Sequence, residues 1–425
     1  MSSWRNIMAA ISDDAEVAFA RLSRQLDDRI GREPLAITPY RGYGRADQIV
    51  LRGRVLEHSR ATVASDSDSV WRNLLNIYRR FETDEVPFAR LRARFAGAEQ
   101  EIEADREGFF ELRMAPAQPL STNTAWHAVE LTLLAPASPD CATVQATGEV
   151  FVPQPGARVG VISDIDDTVV KTDAASLTRM ARNVFLSNAR SRLIFPGVAA
   201  LYRALQAGPP GPFVDPIFYV SSSPWNIYDM LVDFFELRGL PKGAMFLRDW
   251  GITPERLPFG HRAHKLAAIS EVLEFYPDLS FILIGDSGQE DPEIYSEAVR
   301  RYPKRISALY IRSVDTTATR IAAITQLTEQ VIATGSALVL ADDTIAMARH
   351  AAEQGYITAE ALAEVAADRA AETTAQSTVE ALLDEAEAID TASLDQAATQ
   401  VATQVADAKA TGTPPTIIVD GDGAT

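Results

Sequence analysis

The stretch Val159-Gly-Val-Ile-Ser-Asp-Ile-Asp-Asp-Thr-Val-Val170 decides how this chain is read. An apolar run without alternation is followed by three carboxylates, Asp164, Asp166 and Asp167. Such a run reads as a strand buried on both faces, the kind that builds a parallel sheet covered by helices. Asp164 and Asp166 stand two apart, so they leave the strand end in the same general direction. Grouped carboxylates are costly unless a cation neutralises them. Hard oxygen donors at a strand end suit Mg²⁺, which keeps waters and favours phosphate ligands. A carboxylate so placed can attack phosphorus, and a second can protonate the leaving oxygen and then activate water. Alone, Asp-x-Asp is equally compatible with an Asp-rich loop or a Ca²⁺ site.

Downstream, apolar runs at Pro216–Val220, Ser280–Ile284, Ile306–Ile311 and Ala337–Ala341 alternate with helical patterns such as Trp225–Gly239, His264–Phe275 and Ala318–Thr334. This alternation predicts an α/β domain over residues 157–358, with its active site at the carboxyl ends of parallel strands. Ile227, Met230, Leu231, Phe234 and Phe235 recur at helical spacing and read as a core face. Three further features fall at predicted strand ends or a helix start. They are Ser221 in Ile217-Phe-Tyr-Val-Ser221, Lys265 in His261-Arg-Ala-His-Lys265, and Asp286 and Asp291 in Ile282-Leu-Ile-Gly-Asp286-Ser-Gly-Gln-Glu-Asp291.

Together with Asp164-x-Asp166-x-Thr168, these four motifs resemble, in order, those of the haloacid-dehalogenase superfamily of phosphatases. Tyr219-Val-Ser-Ser-Ser-Pro-Trp-Asn226, Leu247-Arg-Asp-Trp-Gly251 and Gly285-Asp-Ser-Gly-Gln-Glu-Asp-Pro-Glu-Ile-Tyr295 are similar to the Mg²⁺-dependent phosphatidate phosphatase family of fungal actin patches and its bacterial relatives. The resemblance covers about 157–355, extends loosely upstream and does not reach the C-terminal tail. It implies a haloacid-dehalogenase-like catalytic domain that forms an aspartyl-phosphate. In it Asp164 is nucleophile and Mg²⁺ ligand, and Asp166 is general acid/base and, through its carbonyl, a ligand. Asp286 completes the protein's share of the metal shell, and Ser221 and Lys265 grip the phosphoryl oxygens. Asp291 holds a metal-bound water or orients Lys265, and Thr168 supports the loop. Ser222 and Arg248 are supporting candidates, Arg248 either as a phosphate or headgroup contact or as the ion-pair partner of Asp249. The implied substrate is phosphatidate, cleaved to diacylglycerol and phosphate. A protein or soluble-metabolite phosphatase, and a non-catalytic adaptor, are the other readings.

Ser221 follows Asp164 by only 57 positions, which leaves little room for a cap domain. An open site suits a bulky substrate, unless the upstream domain covers it. Trp225, just after Ser221, faces either the acyl or glycerol part of a substrate or the core. His261 and His264 stand three apart, but no thiolate or further His lies near, so they read as pocket or loop residues rather than a transition-metal site.

Upstream, residues 1–35 read as an N-terminal helical segment, with Ile7, Ile11, Val17, Phe19, Leu22 and Ile30 at roughly helical spacing. Residues 36–156 alternate with period two at 48–56, 88–95, 108–114, 126–133 and 143–152, which predicts a β-rich, sandwich-like domain. Arg90, Arg92 and Arg94 share one face of such a strand, as an anion-binding stripe or as an ordinary solvated face. Residues 359–425 form an Ala-rich acidic tail, partly helical from Glu360 to about Ala388 and otherwise disordered.

Of the 425 residues, 47% are hydrophobic and 23% charged, ordinary for a globular chain of two or three domains. The net charge is −18, and the last 70 residues hold 13 acids against Arg369 and Lys409. An acidic chain without a basic footprint is a poor nucleic-acid binder. The single cysteine, Cys141, builds no internal disulfide. No stretch approaches ~18 consecutive apolar residues, so no transmembrane helix is expected and any membrane contact is peripheral. The first residues lack a signal-peptide core, and the expected location is cytoplasmic.

Overall fold

The computed structural model describes residues 34–57, 85–138, 143–169, 194–211, 213–248, 261–315 and 317–374. The expected helix over 5–32, the stretch 172–192, Cys141, Asp249 and the tail beyond 374 lie outside these residues.

The first part of the chain supplies β1 (Leu35–Pro39), β2 (Gly42–Arg45), β3 (Gln48–Glu57), β4 (Arg90–Phe95), β5 (Ala98–Glu103), β6 (Phe109–Met114), β7 (Trp126–Ala135) and β8 (Gln145–Phe151). Where the periodicity suggests two facing sheets, hydrogen bonding joins all eight strands in one. Every pairing is antiparallel except β2 with β8. Alternate residues of several strands, among them Leu51, Leu91, Leu112 and Val129, enclose a single core. The arginine stripe of β4 meets glutamates on β5. Arg94 pairs with Glu99 at 2.6 Å and Arg90 with Glu101 at 3.1 Å, while Arg92 reaches both. Cross-strand pairing therefore neutralises the stripe that a ligand would otherwise have met.

The second part is a mixed α/β unit built on six parallel strands. These are β9 (Val159–Asp164), β10 (Ile217–Pro224), β11 (Ala244–Arg248), β12 (Ser280–Asp286), β13 (Ile306–Arg312) and β14 (Ala337–Ala341), in the spatial order β11-β10-β9-β12-β13-β14. β11 is the one of the six that the apolar runs do not announce. Helices α1 (Val198–Ala207), α2 (Tyr228–Leu237) and α6 (Thr344–Glu353) cover one face, and α3 (His261–Phe275), α4 (Asp291–Arg301) and α5 (Ala318–Ala333) the other. β9 feeds both cores, Val161 pointing to one and Ile162 to the other, which is why its sequence is apolar without alternation. A seventh helix, α7, spans 359–374 and buries Val365 in the first of these cores. Its Glu372 accepts the N–H of Gly197 at 2.7 Å, and its Arg369 pairs with Asp343 at 2.9 Å. The start of the predicted tail is thus packed against the α/β unit.

Strand order reverses direction between β9 and β12. In parallel sheets the crevice outside such a reversal is where ligands sit. Asp164 ends β9 and Asp286 ends β12, so the topology alone brings these carboxylates to the crevice.

The entry of β9 is held by Asp215, whose carboxylate accepts the Arg158 N–H at 2.8 Å. Burial pushes this carboxyl up to about 6 against the pull of the N–H groups it accepts. Its folded value lies above its unfolded one, so the folded state binds the proton more tightly. Stability from this group is present below about pH 4 and is lost as pH rises through about 6. Asp215→Asn is expected to flatten the fall in stability over that window. Denaturant titrations at several pH values check it, and an unchanged pH slope in the variant contradicts it.

The two sheets are joined by a polar seam. Tyr43 Oη donates to Glu271 on α3 at 2.6 Å, Tyr276 Oη donates to Gly44 O at 3.0 Å, and the Arg41 N–H donates to Tyr228 Oη at 2.7 Å. Arg52 and Arg113 also reach Glu271. The helix that begins beside Lys265 is thereby braced by the β-rich sheet. No helix among the described residues is long and apolar enough to cross a membrane.

Candidate active site

Asp164, Lys265, Asp286 and Asp291 converge at the crevice, each no more than 1% exposed. Lys265, in the second turn of α3, is the hub. Its Nζ donates to Asp291 Oδ1 at 2.6 Å and ion-pairs with Asp164 Oδ1, also at 2.6 Å. Burial pulls the ammonium pKa down, but the two carboxylates more than offset that and hold it above its usual value, so Lys265 is charged. Burial holds the Asp164 carboxyl well above the usual range, with the charges of Asp291, Asp166 and Asp286 adding to it and Lys265 opposing.

Asp286 is served by the loop after β12, where the N–H groups of Gly288 and Gln289 donate to its Oδ1 at 2.7 and 2.9 Å. Its Oδ2 is buried and has no hydrogen-bond partner among the described residues. Burial and the neighbouring Asp291 push this carboxyl up to about 7. Asp291 opens α4, and its Oδ2 accepts the Asp286 N–H at 3.3 Å. That approach depends on Gly285, because a Cβ there would lie 2.5 Å from Asp291 Oδ2 and 2.7 Å from Tyr295 Cε2. Gly285→Ala is expected to displace the Asp291 carboxylate and lower kcat by ~10²-fold, as misplacement by about an ångström can. Steady-state kinetics check this, and a wild-type kcat contradicts it.

Oxygens of Asp164, Asp286 and Asp291 lie within 4.8 Å of one another. Three buried carboxylates face one ammonium, Asp286 Oδ2 has neither a hydrogen bond nor an ion pair among the described residues, and every donor is hard. This arrangement fits a divalent cation with oxygen preference. His261 and His264 stand apart from it. His261 Nδ1 shares a hydrogen bond with Ser222 Oγ, and His264 Nε2 donates to Ser221 O at 3.2 Å. Burial and the Lys265 charge push His261 down to about 4, so its imidazole is neutral at pH 7.

Asp166 is held by Ser221, whose Oγ donates to Oδ2 at 2.9 Å and accepts the Ser223 N–H at 3.0 Å. Burial raises the Asp166 carboxyl to about 6, against the lowering effect of that hydrogen bond. Ser221 and Lys265, predicted as phosphoryl grips, therefore also contact the two motif carboxylates. Asp167 takes a left-handed backbone, φ 54°, a conformation short polar residues tolerate. The turn brings Thr168 Oγ1 back to Asp164 Oδ2 at 3.3 Å. Arg248 ends β11, half-buried, and its proposed partner Asp249 lies outside the described residues.

Two arginines were not among the sequence candidates. Arg312, at the end of β13 and 4% exposed, donates to Thr168 O at 3.2 Å and lies over the Phe195 ring at 4.1 Å. A charge closing an apolar strand was a signal of the same kind as Asp164. Arg320 on α5 donates to Ser287 O at 2.6 Å and grips Gln289 O and Glu293. It clamps the loop that serves Asp286, and nothing in its own sequence neighbourhood announces that.

The family model described as "Phosphatidate phosphatase APP1, catalytic domain" matches residues 159–313, a segment that holds every one of these site residues except Arg320. That segment is related to the phosphatidate phosphatase APP1 family. Phosphatidate phosphatase APP1 of Saccharomyces cerevisiae is 35% identical over 156 residues, covering 36% of this chain and 26% of the yeast protein. An uncharacterised protein of Schizosaccharomyces pombe is 27% identical over 157 residues, covering 37% of this chain and 25% of its own. The chain thus spans about a quarter of the length of these relatives. Among solved structures, a carbohydrate acetylesterase from Xanthomonas citri has a TM-score of 0.24 at 11% identity, covering 70% of this chain and 66% of its own, too weak a likeness to carry an argument.

Proposed function

We propose that this chain is a Mg²⁺-dependent phosphatase of the haloacid-dehalogenase type that hydrolyses phosphatidate to diacylglycerol and phosphate through an aspartyl-phosphate. The observation that carries the reading is the buried cluster of Asp164, Asp286 and Asp291 around Lys265, beside an Asp166 held by Ser221, within a segment related to a phosphatidate phosphatase.

In this mechanism an oxygen of Asp164 attacks phosphorus in line with the ester oxygen. The Asp164–phosphorus bond forms, the phosphorus–ester bond breaks, and Asp166 gives its proton to the departing diacylglycerol oxygen. Water then attacks the same phosphorus, Asp166 takes its proton, and the Asp164–phosphorus bond breaks to release phosphate. Ser221 keeps the Asp166 carboxyl aimed. Lys265 offsets negative charge on Asp164 and on the transferring group, the main task in phosphoryl transfer. Asp164, Asp286 and the Asp166 carbonyl would hold Mg²⁺, with Asp291 keeping Lys265 in place, and the ion would supply further charge neutralisation. A cytoplasmic setting accords with a chain that has one cysteine.

The test is phosphate release from phosphatidate in mixed detergent micelles, with Mg²⁺ and with EDTA, beside glycerol 3-phosphate and an aryl phosphate. Mg²⁺-dependent release that favours phosphatidate is expected. Release from the soluble esters alone contradicts the lipid substrate, and no release from any of them contradicts the phosphatase.

A further inference from the structure

Beside the end of β10, four residues past Ser221, Trp225 begins a short 3₁₀ turn, Trp225–Ile227. Its indole reaches across the seam and stacks on Tyr40, with centroids 4.2 Å apart and planes at 13°. The two rings close one wall of a cleft of about 570 Å³ that is lined by the β-rich part and, from the α/β unit, by Trp225; Phe88, Phe109 and Phe110 add three more rings. That volume lies within the ~300–1,000 Å³ of ordinary small-molecule sites.

Tyr40 and Phe110 are buried, at 5% and 3% exposure, and give the cleft a fixed floor. Phe88 is the anomaly. It is 58% exposed, and its backbone is left-handed, with φ 57°. A bulky residue at positive φ is strained, and strain of this kind clusters at ligand clamps. The backbone is pinned there by the Phe88 N–H donating to Asp105 O at 3.0 Å. Neither burial nor that hydrogen bond calls for an aromatic side chain at this position, whereas an apolar ligand does. The rim carries two guanidiniums against three carboxylates, and Arg52 is already tied to Glu111 and Glu271. The cleft therefore offers apolar contact rather than a second phosphate site.

We propose that this cleft receives a hydrocarbon arm of the phosphate monoester whose phosphoryl group lies at Asp164, so that the β-rich sheet supplies the selection for acyl esters. This rests on the phosphatase reading above. Trp225, which lines the cleft, follows Ser221 by four residues at the end of β10, and this is the link between the two places.

The test is calorimetric binding in EDTA of glycerol 3-phosphate and of monodisperse diacyl phosphatidates with four- and six-carbon chains, to the full-length protein and to Phe88→Asn. Asparagine accepts the left-handed backbone, and Phe88 is exposed, so the variant removes a ring without threatening the fold. Affinity is expected to rise roughly fourfold for each methylene that enters the cleft. In Phe88→Asn the preference for the six-carbon ester over glycerol 3-phosphate is expected to fall about tenfold or more, as for loss of a ring-sized apolar contact. Binding without chain-length dependence, or an unchanged preference in the variant, overturns the assignment. Chain-dependent binding that is lost in Phe88→Asn, in a protein with no Mg²⁺-dependent phosphate release, supports the cleft and overturns the phosphatase reading instead.

Discussion

Asp164→Asn is expected to lower kcat toward any phosphate monoester by at least ~10⁴-fold, the scale on which removing a nucleophile acts. The reason is geometric as well as chemical. Asp164 is fully buried at the end of β9, and no other carboxylate ends that strand. Asp286 belongs to the neighbouring strand, where its Oδ1 is committed to two backbone N–H groups. Asp291 is committed through one oxygen to Lys265 and through the other to the Asp286 N–H. Neither can take the place of Asp164. The fold is expected to survive, because the amide has nearly the same shape and its neutrality relieves repulsion among three buried carboxylates. Single-turnover kinetics beside a thermal melt check both halves. Residual turnover above a hundredth of wild type, in correctly folded protein, contradicts the assignment.

Lys265→Met is expected to destabilise the protein by about 3–5 kcal/mol near neutral pH, the usual cost of breaking a buried ion pair from one side. Methionine fills much of the lysine stem's volume, so the loss is electrostatic. The substitution takes from both Asp164 and Asp291 the ammonium that lies 2.6 Å from each. The sign of the pH dependence follows. In the variant Asp164, whose carboxyl burial already holds well above the usual range, loses the charge that opposes this shift and is harder still to ionise when folded, so the lost stability returns as pH falls and it takes up a proton. Mg²⁺ should return part of it at constant pH, since an ion bound by the folded state alone stabilises that state. Turnover should fall as well. Denaturant melts at neutral and mildly acid pH, with and without Mg²⁺, check this. A variant as stable as wild type in EDTA at neutral pH would contradict Lys265 as the compensating charge.

What the sequence discloses, and what it hides, divides along a physical line. β9, β10, β12 and β13 are legible because central strands are apolar on both faces, the edge strand β14 from its apolar run Ala337–Ala341, and α2 from Met230, Leu231, Phe234 and Phe235, all buried. The convergence of Asp164, Lys265, Asp286 and Asp291 is approachable because the three carboxylates stand at element ends and Lys265 in the second turn of a helix. Features that depend on partners far along the chain were not legible. Arg312 contacts Thr168 at a separation of 144 residues, and the clamp by Arg320 reaches across 31 to 33. Asp167 reads in the sequence as a third carboxylate, whereas its left-handed backbone makes the turn that returns Thr168 to Asp164. β5 is polar at most positions, so no apolar alternation marks it, and the neutralisation of the arginine stripe by Glu99 and Glu101 is hidden with it. The joining of eight strands into one sheet reflects pairing register, which period-two alternation does not encode.

Loss of activity in Asp164→Asn does not separate a nucleophile from a metal ligand, since this carboxylate is assigned both tasks. The measurement that does so is the stereochemical course at phosphorus, followed with a monoester made chiral by sulfur and oxygen isotopes and hydrolysed in labelled water. Each in-line displacement inverts phosphorus, so attack by Asp164 followed by attack by water predicts net retention. Net inversion would mean that water attacks the ester directly, and would contradict the aspartyl-phosphate on which the account rests.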